Sequence, residues 1–349
     1  MSLAVRVIFD TTFARRAPHS GTGVYIERLS QALSELPGVE LIEACNRRRR
    51  PPGGGGLGSV RNALGDHCWT EVELVRLARV TGADVIHHPL PASARRTATP
   101  QVITVHDLAF ERFPEGFDSR FRRYARWAHA RAARRAGAVV CVSETTAGDV
   151  RDRWGVAAQR LVVAPHGPGQ QLPAVPAVAA GDRSYFLYVG DDEPRKNLAV
   201  LLTAYADYRR TSAQPRELIL AGSVSASVTG VRCEPQPEPE RLARLYAGAL
   251  ALVHPASYEG FGMTPLEAMG LGTPVIAATA PATREVCGDA ARYVDPREPR
   301  SLAAAMSELA TDDRLRSELA ERGRRRVARY SWAASARRHL DAYSLAGSR

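Results

Sequence analysis

An alternation between short β-branched runs and longer helical patterns continues along nearly the whole chain and limits the fold more than any other feature. It is typical of βαβ units, in which helices connect parallel strands. We therefore predict an α/β protein with parallel sheets. The predicted strands are Val5–Asp10, Val39–Ala44, Asp84–His88, Gln101–His106, Ala138–Ser143, Leu161–Ala164, Tyr185–Val189, Leu218–Ala221, Ala251–His254, Pro274–Ala277 and Arg292–Val294.

Helical patterns separate most of these strands. The tail over residues 312–345 is amphipathic, and we predict that it is almost continuously helical. The other predicted helices are Val24–Leu36, Trp69–Val80, Asp118–Ala136, Glu144–Trp154, Asn197–Arg209, Glu238–Ala247, Thr264–Leu271 and Leu302–Leu309.

The chain length of 349 residues suits two domains of about 150 residues each. Residues 166–183 are rich in proline, glycine and alanine and lack periodicity, which is typical of an interdomain linker. We predict a Rossmann-like domain over residues 1–168, a linker over 169–183, a second Rossmann-like domain over 184–330 and a C-terminal helix over 331–349.

Composition narrows the class of protein. The five cysteines are odd in number and form no C-x-x-C pair, which argues against a zinc site and a disulfide framework. The sequence has no apolar run of about 18 residues and no signal-peptide layout, so we expect a cytoplasmic protein. The net charge of +10 also suits nucleic-acid binding, but no nucleic-acid fold signature accompanies it, and we expect no nucleic-acid partner.

A single lysine, Lys196, stands among 46 arginines in the 47 basic residues of these two types. Lysine is a compact point charge on a flexible stem, whereas arginine is a planar fork. Lys196 therefore marks a position where arginine does not serve, unless it is the chance survivor of a codon bias toward arginine.

The segment Glu259–Glu267, E-G-F-G-M-T-P-L-E, follows a buried strand and opens a helix. Its glycines allow backbone amides to approach a ligand, and the free N–H groups of a helix start favour a phosphate. Glu259 and Glu267 are candidates to accept hydrogen bonds from sugar hydroxyls. The alternative is an ordinary helix with two exposed carboxylates.

The longer pattern E-G-F-G-x-x-x-L-E-A-M-x-x-G-x-P-V-I, which begins at Glu259, resembles the hallmark of glycosyltransferase family four, a group of retaining GT-B enzymes. The E-P-R-K-N sequence at Glu193–Asn197 is similar to a mannosyltransferase-like branch. Further segments resemble junctions of the family in the right order: Gly21–Tyr25, Val102–Leu108, Val142–Glu144, Val163–Gly167, Tyr188–Asn197 and Leu218–Gly222. The resemblance implies a GT-B fold, with two facing Rossmann-like domains, an interdomain cleft and a C-terminal helix that crosses back to the N-terminal domain. It also implies that the domain over 1–168 is on the acceptor side and that the domain over 184–330 binds the nucleotide-sugar donor.

The resemblance also implies three catalytic residues. Lys196 neutralises the donor diphosphate as it leaves, His106 lies near the anomeric carbon, and Glu259 holds hydroxyls of the transferred sugar. For His106, a structural histidine at a strand end is the alternative. The residues implied to bind the donor are Gly21, Gly23, Arg195, Lys196, Glu259, Phe261, Gly262, Met263, Thr264 and Glu267.

Within that set, Gly21 and Gly23 approach the diphosphate, Met263 and Thr264 offer donors to phosphate, and Glu267 binds the ribose. Many relatives have an arginine directly after the glycine of the donor-domain opening, where this chain has Asp191. The resemblance implies no resident cofactor and no required divalent metal, because basic side chains and helix dipoles neutralise the diphosphate.

The function implied is transfer of a hexose, with a mannose-like sugar favoured, from a nucleoside-diphosphate sugar. The acceptor is a hydroxyl of a glycan, a lipid-linked glycan or a natural product, and the attack is front-side with retention. The alternatives are a non-catalytic subunit that binds a nucleotide-sugar or a glycan, and a GT-B sugar-nucleotide epimerase.

The segment 120–135 is a basic, aromatic and amphipathic helix. It is a candidate for peripheral contact with an anionic membrane on the cytoplasmic side, where a lipid-linked acceptor is presented. The alternative is a solvated helix face whose aromatic side chains lie in the core.

Overall fold

The computed structural model describes residues 4–48, 57–176, 178 and 182–348. The chain divides into two compact units: unit 1 combines Met1–Gly167 with Ser331–Arg349, and unit 2 is Pro168–Tyr330. Part of the predicted linker over 169–183 lies outside the described residues.

Unit 1 is built on a six-stranded parallel sheet with the order β2-β1-β3-β4-β5-β6. The three strands β3, β4 and β5 are buried along their whole length, as expected for a parallel sheet covered on both faces. The strands are β1 Val5–Asp10, β2 Val39–Ala44, β3 Val85–His88, β4 Gln101–Val105, β5 Ala138–Cys141 and β6 Leu161–Val163.

The helices of unit 1 connect these strands, and the last one comes from the C-terminus. They are α1 Thr12–Arg16, α2 Gly21–Ser34, α3 Leu57–Cys68, α4 Leu74–Thr81, α5 Ala109–Arg112, α6 Ser119–Arg135, α7 Glu144–Trp154 and α14 Trp332–Gly347.

Unit 2 contains a second six-stranded parallel sheet, with the order β12-β11-β10-β7-β8-β9. Its strands are β7 Tyr185–Val189, β8 Glu217–Ala221, β9 Val231–Glu234, β10 Ala249–His254, β11 Val275–Ala278 and β12 Ala291–Val294. Its helices are α8 Leu198–Thr211, α9 Pro239–Gly248, α10 Met263–Gly270, α11 Pro281–Cys287, α12 Pro299–Thr311 and α13 Asp313–Val327.

The prediction of an α/β fold with parallel sheets is confirmed, although the sequence did not predict the helices α1, α3, α5 and α11. The segment 312–345 is almost continuously helical, with a short break between the end of α13 at Val327 and the start of α14 at Trp332. Ser331 adopts an extended backbone there and caps α14 by accepting from the N–H of Ala334. Strand β9 was not predicted, since it is a four-residue edge strand in a proline-rich stretch.

None of the helices in the described part of the chain is both long and apolar enough to cross a membrane.

Gly23 allows the first turn of α2 to pack against the preceding chain. A Cβ atom at this position would overlap the carbonyl oxygen of Ala17. We expect Gly23→Ala to lower the free energy of unfolding by about 2–4 kcal/mol, because backbone cannot yield as a side chain does. The control is Gly148→Ala within α7, where an added Cβ atom would have open space around it. This change should raise the free energy of unfolding by about 1 kcal/mol. Urea denaturation measures both, and equal effects would contradict the packing argument.

Candidate active site

The strand order of unit 2 places two loops side by side. Numbered along the unit, the order is 3-2-1-4-5-6, and the chain direction of the crossovers reverses between β7 and β10. In open α/β sheets ligands bind outside the carboxyl ends of the strands at this switch point. The segment after β7 carries Lys196, and the segment after β10 carries Glu259.

Lys196 ends a short 3-10 turn, Pro194–Lys196, between β7 and α8. The turn is fixed by Asn197, which has a left-handed backbone with φ of 63°. Its side-chain amide donates to the carbonyl of Pro255 at 3.2 Å and to that of Pro296 at 2.6 Å. Asn197 thereby ties the turn after β7 to the loop after β10.

Glu259 is the centre of a buried charge cluster, the Glu259 cluster, formed with Arg195 and Lys196. The Lys196 ammonium donates to Glu259 Oε1 at 2.6 Å, and the Arg195 guanidinium donates to Oε2 at 3.0 Å. Arg195 also donates to Glu193 at 2.7 Å. The Glu259 side chain is only 9% exposed, so the two cations supply most of its hydrogen bonding.

The Glu259 carboxylate stays ionised at neutral pH. Burial raises the pKa of the Glu259 carboxyl, but Lys196 and Arg195 outweigh burial and bring this pKa down to about 2. His254 ends β10 with its Nε2 atom 3.6 Å from Glu259 Oε1. Burial lowers the pKa of His254 to about 4, so the imidazole is neutral at pH 7. The cluster is therefore a fixed carboxylate that orients two cations.

Glu267 lies on α10 and is also buried, away from the first turn. Its Oε1 accepts from the backbone N–H of Gln170 at 2.9 Å, and its Oε2 accepts from the Tyr246 hydroxyl at 2.7 Å. Burial raises the pKa of Glu267. Since both glutamates are buried, the alternative of an ordinary helix with two exposed carboxylates is wrong.

Helix α10 begins at Met263, after Gly262 with a left-handed φ of 113°. Its N-cap residue is Gly262, which has no side chain to cap the first turn, and Met263 and Thr264 are partly exposed there. Phe261 is buried and meets the ring of Tyr330 edge to face, with ring centres 5.8 Å apart. The helix start thus leaves the backbone N–H groups of Met263 and Thr264 near a partly exposed surface, a common arrangement for binding an anion.

Asn197 offers a direct test of how the turn is positioned. We expect Asn197→Ala to lower the free energy of unfolding by about 2–4 kcal/mol, because it removes two hydrogen bonds and leaves a side chain in the left-handed region. Asn197→Gly tolerates the same φ, so its cost should be smaller by about 1 kcal/mol. Chemical denaturation distinguishes them, and equal costs would show that backbone conformation contributes nothing.

The predicted site residues of unit 1 lie on α2 and at the end of β4. Gly21 is the first residue of α2 and is exposed, while the N–H of Gly23 is capped by the Ser20 hydroxyl at 3.1 Å. His106 directly follows β4, and its Nε2 donates to the carbonyl of Pro89 at 3.0 Å. Burial lowers the pKa of His106 to about 4, so the ring is neutral and its Nδ1 carries a lone pair.

A buried chain of hydrogen bonds beside His106 was not predicted from the sequence. It consists of Tyr343, His87, Thr104, Tyr25 and His339, with contacts of 2.9, 2.9, 2.7 and 3.0 Å in that order. His339 Nδ1 donates to the carbonyl of Ser335 at 2.7 Å, so its Nε2 accepts. We call these five residues the Tyr25 chain.

The direction of every bond in the Tyr25 chain follows from that last contact. Tyr25 donates to His339, Thr104 donates to Tyr25, His87 donates to Thr104, and Tyr343 donates to His87. The chain anchors α14 to α2, β3 and β4, and the Tyr25 ring meets the His106 ring edge to face at 4.7 Å. Tyr25 lies in the segment Gly21–Tyr25 and Thr104 in the segment Val102–Leu108, but neither segment indicated the contacts of the chain.

No group of three or more metal-ligating side chains occurs within the described ranges. The adjacent His87 and His88 have partners within the protein, because His87 belongs to the Tyr25 chain and His88 contacts Gln101. Asp191 accepts from the backbone N–H of Ser223 at 3.0 Å.

The two six-stranded parallel sheets have the GT-B architecture that the resemblance implied. Residues 176–326 match the family described as glycosyl transferases group 1, and residues 19–168 match glycosyltransferase family 4. These two matches cover most of the chain in the expected order. The chain belongs to this family of glycosyltransferases.

Curated relatives agree with that assignment. The chain is 28% identical over 288 residues to O-antigen chain mannosyltransferase B of Escherichia coli, covering 75% of this chain and 74% of the relative. It is 29% identical over 232 residues to MMP alpha-(1->4)-mannosyltransferase of Mycolicibacterium hassiacum, covering 62% and 56%. For the second relative the chain therefore spans just over half the length.

Solved structures show the same fold at low identity. Sucrose-phosphate synthase from Thermosynechococcus elongatus has a TM-score of 0.76 at 19% identity, covering 97% of this chain and 98% of that one. WaaG, a glycosyltransferase involved in lipopolysaccharide biosynthesis, has a TM-score of 0.70 at 17% identity, covering 96% and 98%.

Proposed function

We propose that this protein transfers a hexose, with mannose favoured, from a nucleoside-diphosphate sugar to a hydroxyl of a saccharide or lipid-linked acceptor, with retention of configuration. The main observation that supports the proposal is the Glu259 cluster. It places the single lysine of the chain at the switch point of unit 2, held by a carboxylate that stays ionised. The curated relatives named as mannosyltransferases support the choice of sugar.

The donor would bind to unit 2 with its diphosphate at Lys196, Arg195 and the start of α10. Lys196 is held by Glu259 before any ligand arrives, so its charge is positioned in advance of the leaving group. Glu259 and the backbone of Phe261 and Gly262 would hold the transferred sugar, and Glu267 the ribose. As the family resemblance implies, His106 would lie near the anomeric carbon. Gly21 and Gly23 would approach the diphosphate.

Both buried glutamates of unit 2 are already paired, and this favours front-side attack over a double displacement. A double displacement needs a free carboxylate nucleophile, but Glu259 is paired with two cations, and Glu267 accepts from Tyr246 and Gln170. In front-side attack the acceptor oxygen bonds to the anomeric carbon while the bond to the phosphate oxygen breaks. The acceptor proton passes to that phosphate oxygen, so positioning and charge supply the rate enhancement.

Retention is tested by the configuration of the first product. GDP-α-mannose, UDP-α-glucose and UDP-N-acetyl-α-glucosamine are incubated with the protein in water, and proton NMR follows the released sugar before it mutarotates. We expect the α anomer first from the accepted donor. The β anomer first would show inversion, and no hydrolysis or transfer despite nucleotide binding would support a non-catalytic binding subunit.

Helix α6 is proposed to touch an anionic membrane surface. The alternative that its aromatic side chains lie in the core is wrong, because Phe121, Tyr124 and Trp127 are exposed. Arg120 and Arg123 are exposed beside Phe121, a combination that suits an anionic interface. Sedimentation with phosphatidylglycerol vesicles tests this: binding should require the anionic lipid and fall with Phe121→Ala, and equal sedimentation with neutral vesicles would contradict it.

A further inference from the structure

The loop between β10 and α10 spans residues 255–262 and contains neither helix nor strand. It carries Glu259 and leads directly into the first turn of α10, so its conformation sets the position of groups proposed to hold the donor. Near its start, the Ser257 N–H donates to the Arg195 carbonyl at 2.9 Å. Near its end, residues 260–262 read Gly-Phe-Gly, so side-chain packing can fix this segment only through Phe261.

Phe261 anchors a segment that is otherwise permissive. Glycine allows a wide range of backbone conformations, and Gly262 has a left-handed φ of 113°. The Phe261 side chain is buried, and its ring meets the Tyr330 ring edge to face, with centres 5.8 Å apart and planes at 74°. Two aromatic rings attract each other in this geometry. The conformation of the loop end therefore depends on where Tyr330 is held.

Tyr330 is held by α11 and α13. Its hydroxyl donates to the Glu285 carbonyl at 3.2 Å and accepts from the Arg326 guanidinium at 3.1 Å. The same guanidinium carbon lies 5.5 Å from the centre of the Tyr330 ring, within the range of a cation–π contact. These contacts fix both the position and the tilt of the ring.

Arg326 is in turn fixed to the end of α11. Its Nε donates to the Val286 carbonyl at 2.7 Å, and its Nη2 donates to the Glu285 carbonyl. Both carbonyls belong to the last turn of the helix, where C=O groups have no partner within the helix and attract a cation. We call Arg326, Tyr330 and Phe261 the Tyr330 support, because they connect α11 to the loop of the donor site.

The contacts of Tyr330 exceed what the end of a helix requires. A residue that only ended α13 would need its backbone N–H, which donates to the Val327 carbonyl at 3.0 Å. The side chain instead joins α11, α13 and the loop that contains Phe261. None of the residues implied to bind the donor is Tyr330 or Arg326, so an effect of either on donor binding would pass through Phe261.

We propose that Tyr330 is a positioning residue of the donor site, which packs on Phe261 and holds residues 260–262 in the conformation that accepts the donor. The inference rests on the proposed function, since it concerns the same site. A loop that is ordered in advance loses less conformational entropy on binding. Removing the support should therefore weaken binding of the donor without altering the chemical step.

A double-mutant cycle on nucleotide affinity tests the contact. Calorimetry with GDP and UDP compares the wild type with Tyr330→Leu, Phe261→Leu and the double variant. We expect each single variant to raise the Kd of the bound nucleotide about tenfold and the double variant to raise it no further, because both changes remove the same contact. Effects that multiply in the double variant would overturn the proposal.

The conservative variant Tyr330→Phe keeps the ring and loses the hydroxyl. Its Kd should stay within about threefold of the wild type, since the edge-to-face contact with Phe261 remains. With the accepted donor, Tyr330→Leu should raise the donor KM about tenfold and leave kcat nearly unchanged. A Tyr330→Phe variant as weak as Tyr330→Leu, or a fall in kcat at constant KM, would contradict a positioning role of the ring.

Tyr185→Leu is the matched control. Tyr185 is also a partly exposed tyrosine of unit 2 whose hydroxyl donates to a backbone carbonyl, that of Leu245 at 2.9 Å. It begins β7 and so lies at the opposite end of the parallel strands from the loop. Tyr185→Leu should lower the free energy of unfolding without changing the Kd. An equal rise in Kd would show that any loosening of unit 2 weakens binding, against the proposal.

Hydrogen exchange of the protein without ligand separates this inference from the proposed function. The amides of residues 260–267 should exchange at least about tenfold faster in Tyr330→Leu than in the wild type, while β7 and β8 keep their protection and show that the variant is folded. Unchanged exchange of residues 260–267 would overturn the Tyr330 support even if nucleotide binds. Faster exchange in a protein that binds no nucleotide would confirm the support of the loop and contradict the transferase proposal.

Discussion

Replacing Lys196 with alanine should lower the rate of sugar transfer by about 100- to 1,000-fold. Removing a preorganised charge at the position where negative charge develops costs about 3–4 kcal/mol of transition-state stabilisation. Lys196→Arg should restore little of this rate, because a planar guanidinium cannot occupy the place of a compact ammonium within 2.6 Å of Glu259 Oε1. Release of nucleoside diphosphate from the accepted donor measures the rate.

The matched control for Lys196→Ala is Asp192→Ala, which changes an exposed residue of the same loop. This variant should retain nearly the full rate. Circular dichroism must show that Lys196→Ala is folded, and we expect this because Arg195 still neutralises Glu259. A loss of rate no greater than that of Asp192→Ala would show that Lys196 does not act on the leaving group.

Acid should destabilise unit 1 before unit 2. Eight of the nine histidines belong to unit 1, and the exception is His254. In unit 1, burial lowers the pKa of His339 and His106 to about 4 and the pKa of His87 and His166 well below its usual value. The folded state therefore keeps these rings neutral where the unfolded chain takes up protons.

The sign follows from proton linkage. Between about pH 6.5 and pH 4 the unfolded chain binds more protons than the folded protein, so stability falls as the pH is lowered through this window. A pKa of about 4 for His339 corresponds to about 3 kcal/mol lost across it. Protonation would also break the Tyr25 chain, since His339 Nε2 would no longer accept from Tyr25.

Hydrogen exchange with mass spectrometry, corrected for the intrinsic effect of pH, measures the two units separately. We expect amides of β3, β4 and α14 to lose protection at pH 5 while those of β7 and β8 keep theirs. His339→Gln should reduce the pH dependence of unit 1, and His19→Gln, at an exposed position, should not. Equal loss of protection in both units would contradict the role assigned to the buried histidines.

The sequence predicted the parallel strands well because the buried strands are short runs rich in β-branched or aromatic residues, as in Gln101–Val105. It could not predict β9, where Val231–Glu234 alternates around an exposed Arg232 at the sheet edge. The amphipathic pattern continues past Val327 and so could not show where α13 ends, although the sequence placed the start of the C-terminal helix at residue 331.

Within the site, sequence could nominate residues but not their contacts. Lys196 and Glu259 stood out by rarity and motif, yet the ion pair between them joins segments 63 positions apart and depends on the strand order. The same holds for Arg195, whose contacts with Glu259 and Glu193 the sequence could not show. Tyr246 and His254 gave no signal, because a buried tyrosine or histidine near a strand end is ordinary until its partner is known.

The most direct test of the central claim is nucleotide binding by the wild type and Lys196→Ala, measured by thermal shift with GDP, UDP, ADP and their sugar conjugates. We expect one nucleoside diphosphate to stabilise the wild type and to lose most of that effect in the variant, which would locate the donor site at the Glu259 cluster. Stabilisation by none of these ligands in a folded wild-type protein, or equal stabilisation of the variant, would contradict it.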